Sequence, residues 1–259
     1  MKAILLLYDE AESRIAVEAV RGQKEKQKVD YRCTCVRNAT LEKARRLLRY
    51  LRVPCRMKPD ETAILTSTHF VAGSDIQRAI HDAIRRFADD DILLFYSGHG
   101  GEQSWDLGER MNTRKFVLFK ELAGMIAMSA RKHVGIIADC CHTLALDRYL
   151  ADLRKLDGRY LLIGSSQADR VGSENVSLAH PICDAWEFRQ MADIRVGKIE
   201  KLQHGTVMDI PFNAPYISGG NPDCKCGEEI VGGLTYLPYE RPPLRRGSNL
   251  DHLFFPPEP

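Results

Sequence analysis

Apolar residues along this chain fall into short unbroken runs, separated by stretches with helical spacing. Lys2 to Tyr8 is almost continuously apolar, the pattern of a strand buried on both faces. Residues 62–67, 91–96, 134–138 and 160–163 repeat that pattern. Between the runs, Thr40 opens a helix to about Leu51, with Leu41, Ala44, Leu47, Leu48 and Leu51 on one stripe and Arg45, Arg46 and Arg49 on the other side. Ser74, with Gln77 three residues on, is a capping-box pattern, and the helix it starts carries Ile76, Ile80, Ala83, Ile84 and Phe87. Further helices are expected from about Lys120 to Ser129 and from Leu144 to Leu156. Residues 21–32 and 102–114 are polar and read as loops. Strands alternating with helices predict βαβ units, hence an α/β fold with a mainly parallel sheet flanked by helices. In such sheets ligands bind outside the carboxyl ends of the strands.

Beyond residue 167 the pattern weakens. A helix is expected around Cys183–Ala192, with strands near Ile194–Ile199 and Thr206–Ile210. Gly219-Gly220-Asn221-Pro222 is turn chemistry. Prolines are dense from Leu237 onward, which reads as an extended surface segment or tail. The division expected is a globular domain over 1–215 and an extension over 216–259.

Charge narrows the function classes. With 37 basic and 35 acidic residues the net charge is +2, so no global field points to nucleic acid or to an anionic membrane. No stretch approaches the roughly 20 apolar residues of a bilayer span. The apolar start is too short for a signal h-region and has no cleavage site, so a cytoplasmic location is expected. In that reducing compartment the eight cysteines are expected as thiols.

Two strand ends carry the chemistry. The run 91–96 stops in Ser97-Gly98-His99-Gly100-Gly101, and the run 134–138 stops in Asp139-Cys140-Cys141-His142-Thr143. If the strands are neighbours, an imidazole and a thiol share one edge of the sheet. A thiol is a strong nucleophile as thiolate, and a histidine beside it serves as base and then as acid for a leaving amine. Gly100, without a side chain, can bring its N–H toward a substrate carbonyl, and with the N–H of Cys141 it would form an oxyanion hole. Gly98 would keep the approach to His99 open.

The pair of motifs, Y-S-G-H-G-G and D-C-C-H-T in that order, resembles the caspase–metacaspase superfamily of cysteine peptidases, nearest its metacaspase and bacterial caspase-like branch. The resemblance covers about residues 1–170. It implies a caspase-like three-layer sandwich, His99 as base, Cys141 as nucleophile, and Cys140 in the slot before it. It also implies that Asp139 and Ser97 line the pocket for the residue before the scissile bond (P1), hence cleavage after Arg or Lys. The chain departs from the family at Arg37-Asn38-Ala39-Thr40, where a second pocket acid would fall and no carboxylate stands. Calcium activation, common among metacaspases, is not expected. The segment after the histidine motif offers only Glu102, Asp106 and Glu109, beside Arg110, Arg114 and Lys115. The short stretch from Asp139 to Tyr160 leaves little room for a processing linker. The expectation is therefore a monomeric single-chain endopeptidase without a cofactor, acting on protein or peptide substrates.

Other readings of the same residues stand beside this one. His99 could be a structural histidine, Cys141 an inert thiol, and Asp139 a helix N-cap. The chain as a whole could be a silent caspase-like module that binds a protein partner, or a hydrolase of small molecules. Cys33-x-Cys35 and Cys224-x-Cys226 would make a four-thiolate zinc site only if folded together, at tighter spacing than structural zinc sites use. A dinucleotide loop fails at Gln103, where G-x-G-x-x-G needs its third glycine.

Overall fold

The structure, a computed structural model, describes residues 1–19, 26–53, 55–67, 73–110, 113–156, 158–164 and 244–247. Five parallel strands form the body of one sheet: β1 (Lys2–Leu7), β4 (Thr62–Thr66), β5 (Ile92–Ser97), β9 (Val134–Asp139) and β10 (Tyr160–Gly164). A sixth, β11 (Leu244–Gly247), pairs antiparallel with β10, giving the order β11-β10-β9-β5-β1-β4. Every residue of β5 and β9 is buried, as their unbroken apolar runs require. β11 lies within the stretch expected to be the extension; the expected boundary near residue 215, and the helix and strands expected between 183 and 210, lie outside the described residues.

Alternate residues of the strands feed two separate cores. Ala3, Leu5, Leu7, Leu93, Phe95, Ile137 and Leu161 face α1 (Cys35–Arg52), which lays Ala44, Leu47, Tyr50 and Leu51 on them. Ile4, Leu6, Leu94, Tyr96, Ile136 and Leu162 face the other way, against α2 (Gly73–Arg86), α3 (Phe119–Ser129) and α4 (Ala145–Ala151). Helices on both faces make a three-layer α/β sandwich. Each fully buried aliphatic side chain in these layers contributes about 1.5–3 kcal/mol of transfer free energy. From β1 the chain passes through α1 to β4, then through α2 to β5 on the far side of β1. The strand order therefore reverses beside β5, the position where open α/β sheets bind ligands.

Several details depart from the sequence reading. α1 begins at Cys35, five residues before Thr40, and α2 begins at Gly73, so Ser74 lies inside its first turn. The polar stretch read as a loop at 21–32 contains β3 (Lys26–Cys33), antiparallel to β2 (Glu12–Ala19). The loop read at 102–114 is a hairpin, with β7 (Ser104–Arg110) paired to β8 (Thr113–Leu118) and to the two-residue β6 (His99–Gly100). The last helix is short: α4 covers Ala145–Ala151, and a separate 3-10 turn covers Arg154–Leu156. Among the described residues no helix is long and apolar enough to cross a membrane.

Candidate active site

β5 and β9 are adjacent and parallel, and the last pair in their register is Ser97 with Asp139. His99 and Cys141 each follow two residues beyond that pair, so both leave the carboxyl edge of the sheet at the same level. The two turns touch at Gly100. A side-chain carbon there would sit 2.0 Å from the Cys141 carbonyl oxygen and 2.8 Å from Cys140 Sγ. The absence of a side chain at 100 is thus what allows the histidine turn to lie against the cysteine turn.

Gly98 has a different reason from the open approach expected of it. Its φ is +151°, and a Cβ would meet Tyr8 Cβ at 2.5 Å and the Tyr96 hydroxyl at 2.8 Å. Those two tyrosines flank the histidine. The Tyr8 ring stands edge-on to the His99 imidazole, centroids 5.0 Å apart at 81°. Tyr96, fully buried and stacked on Trp105 at 4.4 Å, directs its hydroxyl at the backbone carbonyls of His99 and Asp106. Burial pushes the Tyr96 pKa well above its ordinary value, so the hydroxyl stays a donor. Sequence reasoning gave neither tyrosine a role: Tyr8 reads there as the end of an apolar run, and Tyr96 only as the first letter of the Y-S-G-H-G-G motif.

The two cysteines occupy opposite environments. Cys140 is buried in the core on the α2 side, and desolvation pushes its thiol pKa far up. Its backbone carbonyl accepts a 2.8 Å hydrogen bond from the Thr143 hydroxyl. Cys141 is half-buried, in the turn that joins β9 to α4. His142, next along, takes a left-handed conformation at φ 52°, which is uncommon for a residue with a side chain and recurs at functional turns. Asp139 ends β9 and α4 begins only at Ala145, with Leu144 at its N-cap, so the N-cap reading of Asp139 does not hold.

Ser97 and Asp139 point to the α1 side and are almost fully buried. Asp139 Oδ2 lies 3.3 Å from Lys43 Nζ, and the Ser97 hydroxyl donates to Thr40 Oγ1 at 3.3 Å. Lys43 was not anticipated. The signal for it was present: Val36, Ala39, Thr40, Lys43, Ala44, Leu47, Tyr50 and Leu51 form the buried stripe of α1. A lysine at such a position demands a buried acid. At the position where a second acid was sought, Asn38 donates its amide to Thr34 Oγ1 at 3.3 Å.

In the hairpin after the histidine, the Asp106 carboxylate accepts the Gly108 N–H at 2.8 Å, and Lys115 is fully buried. Among the described residues no group of three or more His, Cys, Asp or Glu side chains is placed to hold a metal ion. Cys224 and Cys226 lie outside the described residues. No protein-family model matches the chain and no curated protein matches it, so the case for a function rests on these residues themselves.

Proposed function

We propose that the protein is a cysteine endopeptidase with Cys141 as nucleophile and His99 as general base. The observation that carries the reading is the meeting of the two strand ends: a half-buried thiol and an imidazole at one level of the sheet edge, their turns in contact at Gly100. His99 takes the thiol proton as sulfur bonds to the peptide carbonyl carbon and the carbonyl electron pair moves to oxygen. The N–H groups of Gly100 and Cys141 stabilise that oxyanion, a contribution of about 3 kcal/mol per donor in such sites. On collapse His99 returns the proton to the departing amine, and water hydrolyses the thioester by the same route.

These steps use only side chains and backbone of this chain. In this reading the enzyme works as a monomer without a cofactor, on protein or peptide substrates, in the cytoplasm, where a reduced thiol persists. The contact between Lys43 and Asp139 argues against carrying forward a preference for Arg or Lys at P1.

The test is hydrolysis of fluorogenic peptides spanning basic, acidic and amide P1 residues by the wild type and by Cys141→Ala, His99→Ala and Cys140→Ala. Cleavage lost in the first two variants and retained in the third supports the reading. Cleavage that survives in Cys141→Ala refutes the assignment, and a chain that cleaves nothing is better read as a partner-binding module.

A further inference from the structure

Along β8 burial alternates, with Lys115 and Val117 fully enclosed and Phe116 and Leu118 39 % and 42 % exposed. A solvated strand face is ordinarily polar, so two large apolar side chains there need a reason. Cross-strand register places them relative to the candidate base. His99 pairs with Asp106, Asp106 pairs with Phe116, and Ser104 pairs with Leu118. Paired residues project from the same face, so Phe116 and Leu118 share the His99 face of the three-stranded sheet. The opposite face sends Trp105 and Val117 into the core. In the order β6-β7-β8, the cysteine turn lies against Gly100 of β6, at one end, and the apolar row stands at the other. Strands about 4.8 Å apart set Phe116 about 10 Å from His99. Gln77 of α2 donates its amide to the Phe116 carbonyl at 3.0 Å and anchors this far strand.

We propose that Phe116 and Leu118 form a subsite for the leaving side of the substrate, selecting an apolar side chain at P2′ to P4′, the second to fourth residues after the scissile bond. The inference rests on the peptidase reading above. His99 hands its proton to the departing amine, so the chain that carries that amine begins at His99. Running away from the cysteine turn over the same face, it crosses β7 and then reaches β8. An extended peptide rises about 3.3 Å per residue, so about three residues cover the span from His99 to Phe116. An apolar side chain arriving there covers Phe116 and Leu118 and takes apolar surface of both partners out of water. A charged side chain at the same place loses hydration and finds no partner on those two residues.

Cleavage of a diverse library of natural peptides tests this, because mass spectrometry reads both sides of every cut and no P1 residue need be assumed. The proteins compared are the wild type, Phe116→Ser/Leu118→Ser, Phe116→Lys/Leu118→Lys, and Cys141→Ala as the blank. Wild-type cuts should carry Leu, Ile, Val, Met or Phe at one of P2′ to P4′ roughly fivefold more often than the library does. The serine pair loses that enrichment. The lysine pair replaces it with a roughly threefold enrichment in Asp and Glu at the same positions, a reversal that a merely structural loss would not produce. Both side chains are exposed, so neither pair of substitutions opens the core. Cuts that vanish in Cys141→Ala but show no apolar preference overturn the subsite and leave the peptidase reading standing. An identical cut profile in the wild type and both pairs overturns it too, and a change from dimer to monomer in sedimentation of those pairs would then give this face to a second copy of the chain. If the wild type makes no cut that Cys141→Ala lacks, the peptidase reading itself falls, and this inference with it.

Discussion

Replacing Gly100 with alanine puts the contact between the histidine and cysteine turns under direct strain. The added Cβ would lie 2.0 Å from the Cys141 carbonyl oxygen, 2.8 Å from Cys140 Sγ and 3.0 Å from the Cys141 carbonyl carbon. Two of those atoms are backbone, so no rotamer change relieves the clash. The turns must part by about 1 Å before even the tightest tolerable contact is reached. Overpacking of this kind costs about 1–3 kcal/mol of stability, and a shift of about 1 Å between reacting groups costs about 100-fold in rate. Gly101→Ala is the matched control, since its Cβ would approach nothing closer than the Ser104 carbonyl oxygen at 3.7 Å, an ordinary contact. Urea unfolding gives the stability change, and peptide hydrolysis or Cys141 labelling gives the functional one. Gly100→Ala should lose on both measures while Gly101→Ala stays close to wild type. If the two variants behave alike, the histidine and cysteine turns are not in contact at Gly100.

Three further outcomes follow from the same geometry. Iodoacetamide added to the native protein modifies Cys141 and spares Cys140, whose thiol is buried and pushed up in pKa; comparable modification of both, read by peptide mass spectrometry, would show that Cys140 is not enclosed. Gly164→Ala would place a Cβ 2.5 Å from Thr143 Cγ2 and 2.8 Å from Thr143 Cβ in a fully buried site, so its urea midpoint falls by the equivalent of about 1–3 kcal/mol, and an unchanged midpoint contradicts the packing of β10 against the cysteine turn. Lys2 Nζ lies 2.8 Å from Glu61 Oε1, and that hydrogen bond is the largest cause of both a lowered Glu61 pKa and a raised Lys2 pKa. Both side chains are partly exposed, so Glu61→Gln costs at most about 1 kcal/mol at neutral pH. The lowered carboxylate stabilises fully above its ordinary value of 4.5 and loses that contribution as pH falls through the folded value, while the raised ammonium keeps its share up to its ordinary value of 10.5. The difference between wild type and variant is therefore flat through neutral pH and closes in acid, and again in strong alkali as Lys2 loses its proton; a gap that widens in acid would reverse the assigned sign.

The parallel body of the sheet was legible because burial on both faces leaves only apolar residues: Ile92–Tyr96 and Val134–Ala138 admit no polar position. β3 and β7 escaped because Lys26–Cys33 and Ser104–Arg110 are rich in charge, and their strands come from hairpin pairing outside the central sheet. At the site, His99 was legible from its flanking glycines and a cysteine of the Cys140-Cys141 pair from the strand end, while the choice of Cys141 rested on the resemblance. The separation of Cys140 from Cys141 by burial was not, because adjacent residues in a chain carry no sign of which one the fold encloses. Lys43 was lost for a similar reason: its partner Asp139 lies far along the chain, and only the packing of α1 across β5 and β9 brings them together.

The central claim is that His99 activates Cys141, and the rate of alkylation at Cys141 in wild type and in His99→Ala tests it most directly, since no substrate need be known. Measured residue by residue at neutral pH, the rate should fall by roughly tenfold or more when the imidazole is removed, while alkylation of the other thiols is unchanged. Equal rates at Cys141 in the two proteins would mean that the thiol and the imidazole, though on one edge of the sheet, do not act on each other.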